Sequence, residues 1–338
     1  MDITLEGDVV RGGSDARERF YDSRGYGRPV DGGALELAPV EAAHLLYRGD
    51  LDALDGVDFR AFLASAAVSE LAFLVYKDLR DRGFYLSPAR EGWVADPENV
   101  DFVVYPRGQG PWDDAVQYRV TVVSERASVP ASTLGEVVLA VVDEESELTY
   151  LDTERSILDG ASGIDLPAGV DGDLLADRVL VWDAPAELYE RGFYGQRLDD
   201  ERDGALQLSL VEAAYLARRD VLAVDGGHEA VIERGRDVEG ERFDRRLRVY
   251  AALRERGVVP KTGFKFGADF RTYADVTSVD DLGHSEHLVR VLPETHAFEP
   301  RDLALDVRLA HGVRKRMVFA LTDANDGIDW LAVSRLTP

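Results

Sequence analysis

The chain has 338 residues, 64 acidic against 39 basic, for a formal net charge of −25, and 45% of it is hydrophobic. That length exceeds one small module, and that apolar content excludes a wholly disordered chain. With no cysteine, disulfide scaffolds, Cys-ligated zinc, iron–sulfur clusters and thiol nucleophiles are excluded too.

No apolar run approaches about 18 residues and no charged-then-apolar leader opens the chain, so the expectation is no membrane span and a cytoplasmic setting. Lys stands only at Lys77, Lys261, Lys265 and Lys315; the other basic residues are Arg. Such a chain looks like a halophilic protein from a salt-accumulating cytoplasm. Multimolar salt shortens the Debye length to roughly 3 Å or less, so like charges crowd cheaply there. A mesophilic protein that avoids polyanions is the alternative. The charge alone argues against a nucleic-acid partner, so specific residues must carry any such reading.

In chain order, Ala38-Pro39 starts a helix over Val40–Leu46. A second helix runs about Phe73–Arg82, closed by Gly83 in the C-cap position. Strands follow at Val120–Val123, Val137–Val142 and Leu148–Leu151, the last two split by the acidic turn Asp143-Glu144-Glu145-Ser146-Glu147. A linker rich in Gly, Asp and Ala covers Asp159–Asp173. The same elements then return: Ser209 with a helix over Val211–Leu216, a helix about Arg245–Arg256 closed by Gly257, and strands at Leu288–Val291, Met317–Leu321 and Ile328–Val333 around the turn Asp323–Gly327.

The return is a duplication. GALELAPVEAAHLLYR at Gly33–Arg48 matches GALQLSLVEAAYLARR at Gly204–Arg219. Tyr26-Gly27 with Asp31 matches Tyr194-Gly195 with Asp199, and Val75-Tyr76 with Arg80 matches Val249-Tyr250 with Arg254. Asp101-Phe102 with Tyr105 matches Asp269-Phe270 with Tyr273. Units of about 168 residues are too long for solenoid repeats, so these are two domain-sized copies. Each reads as a small α/β lobe followed by a mixed α/β lobe.

The second copy contains three blocks: Lys261-Thr262-Gly263-Phe264-Lys265-Phe266-Gly267-Ala268-Asp269-Phe270-Arg271-Thr272-Tyr273, whose Lys261–Gly267 stretch the first copy lacks, then Gly283-His284-Ser285-Glu286-His287-Leu288-Val289, then Arg308-Leu309-Ala310-His311-Gly312-Val313-Arg314-Lys315-Arg316. In order and spacing they resemble the archaeal tRNA-splicing endonuclease family, in its tandem-fused form with one degenerate and one active unit. The resemblance covers both copies. It implies a mixed α/β (α+β) fold with an N-terminal lobe at 1–70, a degenerate nuclease lobe at 71–158, a linker at 159–173, an active unit's N-terminal lobe at 174–244 and its catalytic nuclease lobe at 245–338.

The resemblance also implies a triad of Tyr273 as general base on a ribose 2′-hydroxyl, His284 as general acid on the departing 5′-oxygen, and Lys315 on the phosphate. It implies precursor tRNA with a bulge–helix–bulge as substrate and partner, 2′,3′-cyclic phosphate and 5′-hydroxyl products, no metal and no cofactor. RNA brings its own nucleophile, so proton transfer and charge stabilisation suffice. A phenol loses its proton near pH 10 in water, so a basic Tyr273 needs a cation close by, which Lys315 would supply. In the first copy Tyr105 stands at the place of Tyr273, but the places of His284 and Lys315 fall at about Ala115 and Gly135. That copy is expected to be inactive.

Bland readings accompany these residues: Tyr273 as a core tyrosine, His284 as a turn cap, His287 and His311 as structural groups. A metal on His284 and His287 lacks a third ligand. A Mg²⁺ nuclease needs an acid two residues before its lysine, where Val75, Val259, Gly263 and Val313 stand instead. The resemblance further implies that Arg308 and Trp330 clamp a flipped base; the alternative is a core Trp330. Lys265, Arg271 and Arg314, with Lys261 and Arg316, are expected to form a local RNA-binding patch. Asp143, Glu144, Glu145 and Glu147 are implied to dock into a basic cleft of a second copy, making a homodimer; in a halophile such turns are also ordinary surface. A non-catalytic RNA-binding or assembly subunit is the rival function.

Overall fold

The computed structural model describes residues 3–65, 67–113, 115–198 and 204–338; Asp199, the counterpart of Asp31, lies outside them. The chain forms two compact units, one of residues 1–154, 297–304 and 335–338, the other of 155–296 and 305–334.

In the first unit, strands Ile3–Glu6, Val9–Gly12, Leu35–Leu37 and Arg28–Pro29 form an antiparallel sheet in that order. Against it packs helix α1 (Pro39–Tyr47), every residue of which from Val40 to Leu46 is buried. Helix α2 (Glu70–Asp81), capped by Ser69, leads to β1 (Leu86–Pro88), β2 (Phe102–Val104), β3 (Tyr118–Ser124), β4 (Val138–Val142) and β5 (Leu148–Arg155). These order as β1-β2-β3-β4-β5, with β3 and β4 parallel and the other pairs antiparallel.

The second unit repeats the plan. Its small sheet has the order Asp173–Leu174, Arg178–Val181, Leu206–Ser209, Gln196–Arg197, covered by α3 (Leu210–Arg218), against which packs α4 (Gly227–Glu239), a helix not expected from the sequence. Helix α5 (Glu241–Glu255) leads to β6 (Val259–Thr262), β7 (Phe270–Tyr273) and β8 (His287–Pro293); then come α6 (Pro300–Gly312), β9 (Arg316–Thr322) and β10 (Ile328–Leu336). The order is β6-β7-β8-β9-β10, with β8 and β9 parallel. A parallel pair needs a long crossover, and α6 lies in it; between β3 and β4 stand the two-residue strand Val129–Pro130 and the single turn Ala131–Thr133. The mixed α/β expectation holds; the strands it missed are short, among them β1, β2, β6 and β7 and those of both small sheets. Among the described residues no helix is long and apolar enough to cross a membrane.

The segment from residue 159 is fixed to its own unit from the start. The Gly160 N–H donates to the Arg256 carbonyl at 2.9 Å, Ala161 to Ala274 at 2.7 Å, and Ser162 to Gly257 at 2.9 Å. A Cβ on Gly160 would stand 2.4 Å from the Gly257 carbonyl oxygen, so only glycine permits this approach.

One device joins small and large lobe in each unit. Glu212 on α3 accepts from the Ser209 N–H at 3.0 Å, closing a capping box, and from the Gly195 N–H at 2.9 Å. Glu41 does the same with Ala38 at 2.9 Å and Gly27 at 2.7 Å. An arginine of the following helix covers the preceding tyrosine: Arg254 lies 3.8 Å over the Tyr194 ring, Arg80 3.9 Å over Tyr26. The copies part at the next group. Lys261 on β6 reaches Glu212 at 3.1 Å and the Gly195 carbonyl at 2.6 Å. In the first unit the same register position holds Ser87, which takes the Tyr105 hydroxyl at 2.9 Å instead.

The carboxyls respond accordingly. Burial opposes the charge on Glu212, but Lys261 and the amide donors outweigh it and hold the group below its ordinary range. Burial of Glu41 has no such answer, and its pKa is pushed up to about 7. The unfolded chain ionises this group from about 4.5, so the stability it contributes is full below that pH and is lost as pH rises toward 7. Chemical denaturation followed from pH 4.5 to 8 should show this loss, of about 3 kcal/mol. Ser87→Lys, which supplies the missing ammonium, should flatten it; an unchanged slope in that variant would refute the account.

Candidate active site

Three strands of the second unit end together. Pairing of β7 with β8 sets Thr272 opposite His287, and the Glu286 N–H donates to the Thr272 carbonyl at 3.0 Å. Pairing of β8 with β9 sets His287 opposite Arg316, and the Arg316 N–H donates to the Glu286 carbonyl at 3.0 Å. One step further along both registers lie Tyr273, Glu286 and Lys315 in a single row. The Lys315 ammonium donates to the carbonyl of Ser285 at 2.7 Å, next to His284 in the chain. Tyr273 and Lys315, distant in sequence, thus stand at one sheet end with Glu286 between them.

Their surroundings differ. Tyr273 is buried among Phe193, Val259 and Val276, its ring edge-to-face with Phe193 at 5.6 Å. Arg271, two residues earlier on the same strand face, puts its guanidinium 5.8 Å from the Tyr273 ring centre, and its buried Nε has no hydrogen-bond partner in the structure. Lys315 is half-buried, 5.8 Å from the centre of the Phe266 ring. Burial, and after it the Arg271 charge, hold its amine below the ordinary lysine range. His284 is exposed. Half-buried His287 is held below the usual histidine range by burial, with Arg316 adding to it.

Local structure fixes these positions. At the end of α6 the Lys315 N–H donates to the Ala310 carbonyl at 2.9 Å, and Arg314 takes the left-handed slot with φ 56°. That sharp stop starts β9 directly after Lys315. Between β6 and β7, Gly263 has no room for a Cβ, which would lie 2.8 Å from the Ala268 carbonyl, and Gly267 has φ 70°. Among the described residues no group of three or more metal-ligating side chains gathers.

The first unit is the internal control. Val138 pairs with Val120 as Val318 pairs with Val289, so Gly135 stands in the register position of Lys315. Ala115 likewise precedes β3 where His284 precedes β8. Tyr105 remains, buried and bonded to Ser87.

A sequence model of the tRNA intron endonuclease catalytic C-terminal domain matches residues 243–330, and that of the family's N-terminal domain matches twice, at 1–63 and 170–234. The chain belongs to the tRNA intron endonuclease family. It is 69% identical to a tRNA-splicing endonuclease of Haloarcula marismortui, 67% to one of Natronomonas pharaonis and 64% to one of Haloferax volcanii, each over the whole of both chains. Family membership makes it an endonuclease, and the doubled N-terminal match is the duplication seen in its sequence.

Other implied residues fall variously. Lys265, Arg308 and Arg314 are exposed and Arg271 is half-buried. Trp330 requires a correction: it stands opposite Ala320 on β10, 4% exposed, in the core with Val291 and Val318. Strand alternation turns its indole inward, so it offers no face to a base. Lys261 also leaves the expected basic patch, because its charge is spent on Glu212. A cation not foreseen beside Tyr273 is Arg271, 5.8 Å from its ring centre; the i, i+2 spacing of the two on one strand was the available signal. In the acidic turn Asp143 accepts from the Glu145 and Glu147 N–H groups at 2.9 and 2.8 Å and so builds the turn itself. Glu144 pairs with Arg126, while Glu145 and Glu147 are exposed.

The two lysines of the β6–β7 hairpin should therefore behave oppositely. Lys261→Met leaves a buried carboxylate alone and should cost about 3–5 kcal/mol, whereas Lys265→Met should change stability by less than about 0.5 kcal/mol. Urea unfolding of both variants checks this.

Proposed function

We propose that the chain cleaves precursor tRNA at bulge–helix–bulge exon–intron junctions and releases the intron. What supports this reading is the single row holding Tyr273 and Lys315, with Glu286 between them and His284 two residues before Glu286 in the chain, in the second unit only. Tyr273, as phenolate, takes the 2′-hydroxyl proton; the 2′-oxygen forms its bond to phosphorus as the bond to the 5′-oxygen breaks; His284 protonates that leaving oxygen. Lys315 faces the charge that develops on the phosphate. The products are a 2′,3′-cyclic phosphate and a 5′-hydroxyl, and no metal takes part. Arg271 stands on the same strand face as Tyr273, its guanidinium 5.8 Å from that ring's centre.

In this reading, residues 1–158 form the degenerate unit and 174–338 the active one, joined by 159–173. Two junctions on one RNA call for two sites at fixed separation, which a two-fold homodimer supplies. Arg308, Lys265, Arg271 and Arg314 hold the RNA, and the exposed Glu145 and Glu147 serve the dimer contact. The work is cytoplasmic.

Purified protein incubated in chelator with a bulge–helix–bulge RNA tests the proposal. Cyclic phosphate ends support it. Intact but bound RNA would favour the RNA-binding subunit, and a 5′-phosphate dependent on Mg²⁺ a different nuclease chemistry. Lys315→Ala should slow cleavage by about 10²–10³ and His284→Ala by about 10²–10⁴, while Tyr105→Phe leaves the rate unchanged. Equal losses at Tyr105 and Lys315 would end the assignment of the first unit as inactive.

A further inference from the structure

Phe264 is 86% exposed, and no large hydrophobic residue among those described is more so. It is not on a loose loop. The Phe266 N–H donates to the Gly263 carbonyl at 2.8 Å, Gly267 to Phe264 and Ala268 to Gly263 each at 3.2 Å, and the Phe264 N–H to the Thr262 hydroxyl at 3.3 Å. The two constrained glycines close the turn on either side. A rigid turn therefore holds a bare aromatic ring in water, against the ordinary tendency to bury it.

The turn borders the site. Phe266, two residues on, is the ring beside the Lys315 ammonium, and the exposed Lys265 lies between the two phenylalanines. In a chain of net charge −25, these cations are a local exception. In the corresponding hairpin of the first unit the aromatic, Trp93, is half-buried and flanked by the guanidiniums of Arg28 and Arg90, 5.5 and 5.4 Å from its ring. An exposed aromatic face among cations is the platform on which unpaired bases stack, tolerant of sequence because every base has a π-face.

We propose that Phe264 stacks on an unpaired nucleobase of the RNA bulge, next to the phosphate that faces Lys315. The proposal rests on the RNA-cleaving reading of the same site. It supplies an exposed aromatic face where Trp330, being buried, supplies none.

The test uses the full chain, a bulge–helix–bulge RNA with 2-aminopurine at single bulge positions, and a matching RNA with an abasic bulge position. Phe264→Ala should weaken binding about ten- to a hundredfold and abolish the quenching of one 2-aminopurine. Phe264→Trp should restore both. Phe264→Leu, apolar but without a π-face, should not. On RNA abasic at the stacked position the wild type and Phe264→Ala should bind alike. Unchanged binding in Phe264→Ala overturns the proposal. So does a loss accompanied by dissociation in sedimentation velocity, which would assign the ring to contact with a second copy of the chain. If the wild type itself neither binds nor cuts the RNA, the RNA-cleaving reading fails; if it does both and Phe264→Ala matches it, only the stacking fails.

Discussion

The central strand β8 pairs antiparallel with β7 on one side and parallel with β9 on the other, and the site depends on that asymmetry. Because the two neighbours run in opposite directions, the end of one and the beginning of the other fall at the same edge of the sheet. Tyr273 is the last residue of β7 and Lys315 the one before β9, so the hydrogen-bond registers alone bring them into line. A slip of one residue in either register would turn every side chain of the slipped strand to the other face.

The same sheet order occurs in the first unit with the chemistry removed. What persists there is structural: the glutamate that ties a helix start to two amides, the arginine stacked on a tyrosine, the aspartate-bound acidic turn. Even these differ, since Ser87 stands where the second unit has Lys261 and Glu41 has no lysine partner there. The divergence is graded. Ala115 and Gly135 stand where the second unit has His284 and Lys315, the buried ion pair has one partner fewer, and the backbone pairing is the same.

Much of this was legible in the sequence. The helices around Glu41 and Glu212, the long strands and the duplication follow from apolar periodicity and recurrence. The triad blocks were readable through the resemblance they carry. Short strands such as β6 and β7 were not, because three or four residues hold too few alternations to signal a strand. Helix α4 buries only Val231, Ile232 and Gly235, a short apolar stripe in an otherwise polar segment. Nor could spacing tell that Lys261 is buried or that Trp330 points inward, since each depends on which side of a strand a residue occupies, and only the sheet register sets that. The exposure of Phe264 was hidden for the same reason: phenylalanine in a sequence reads as core.

The glycine-rich stretch beginning at Asp159 looks like a hinge, yet its first residues are bonded into the second unit, Gly160 backbone against Gly257 backbone. The Ser156 N–H also donates to the Trp330 carbonyl at 2.9 Å. An attempt to sever the polypeptide into two separately made halves would therefore have to cut ahead of Ser156. A break at the glycines themselves would strip the later half of a strap that no replacement side chain has room to imitate.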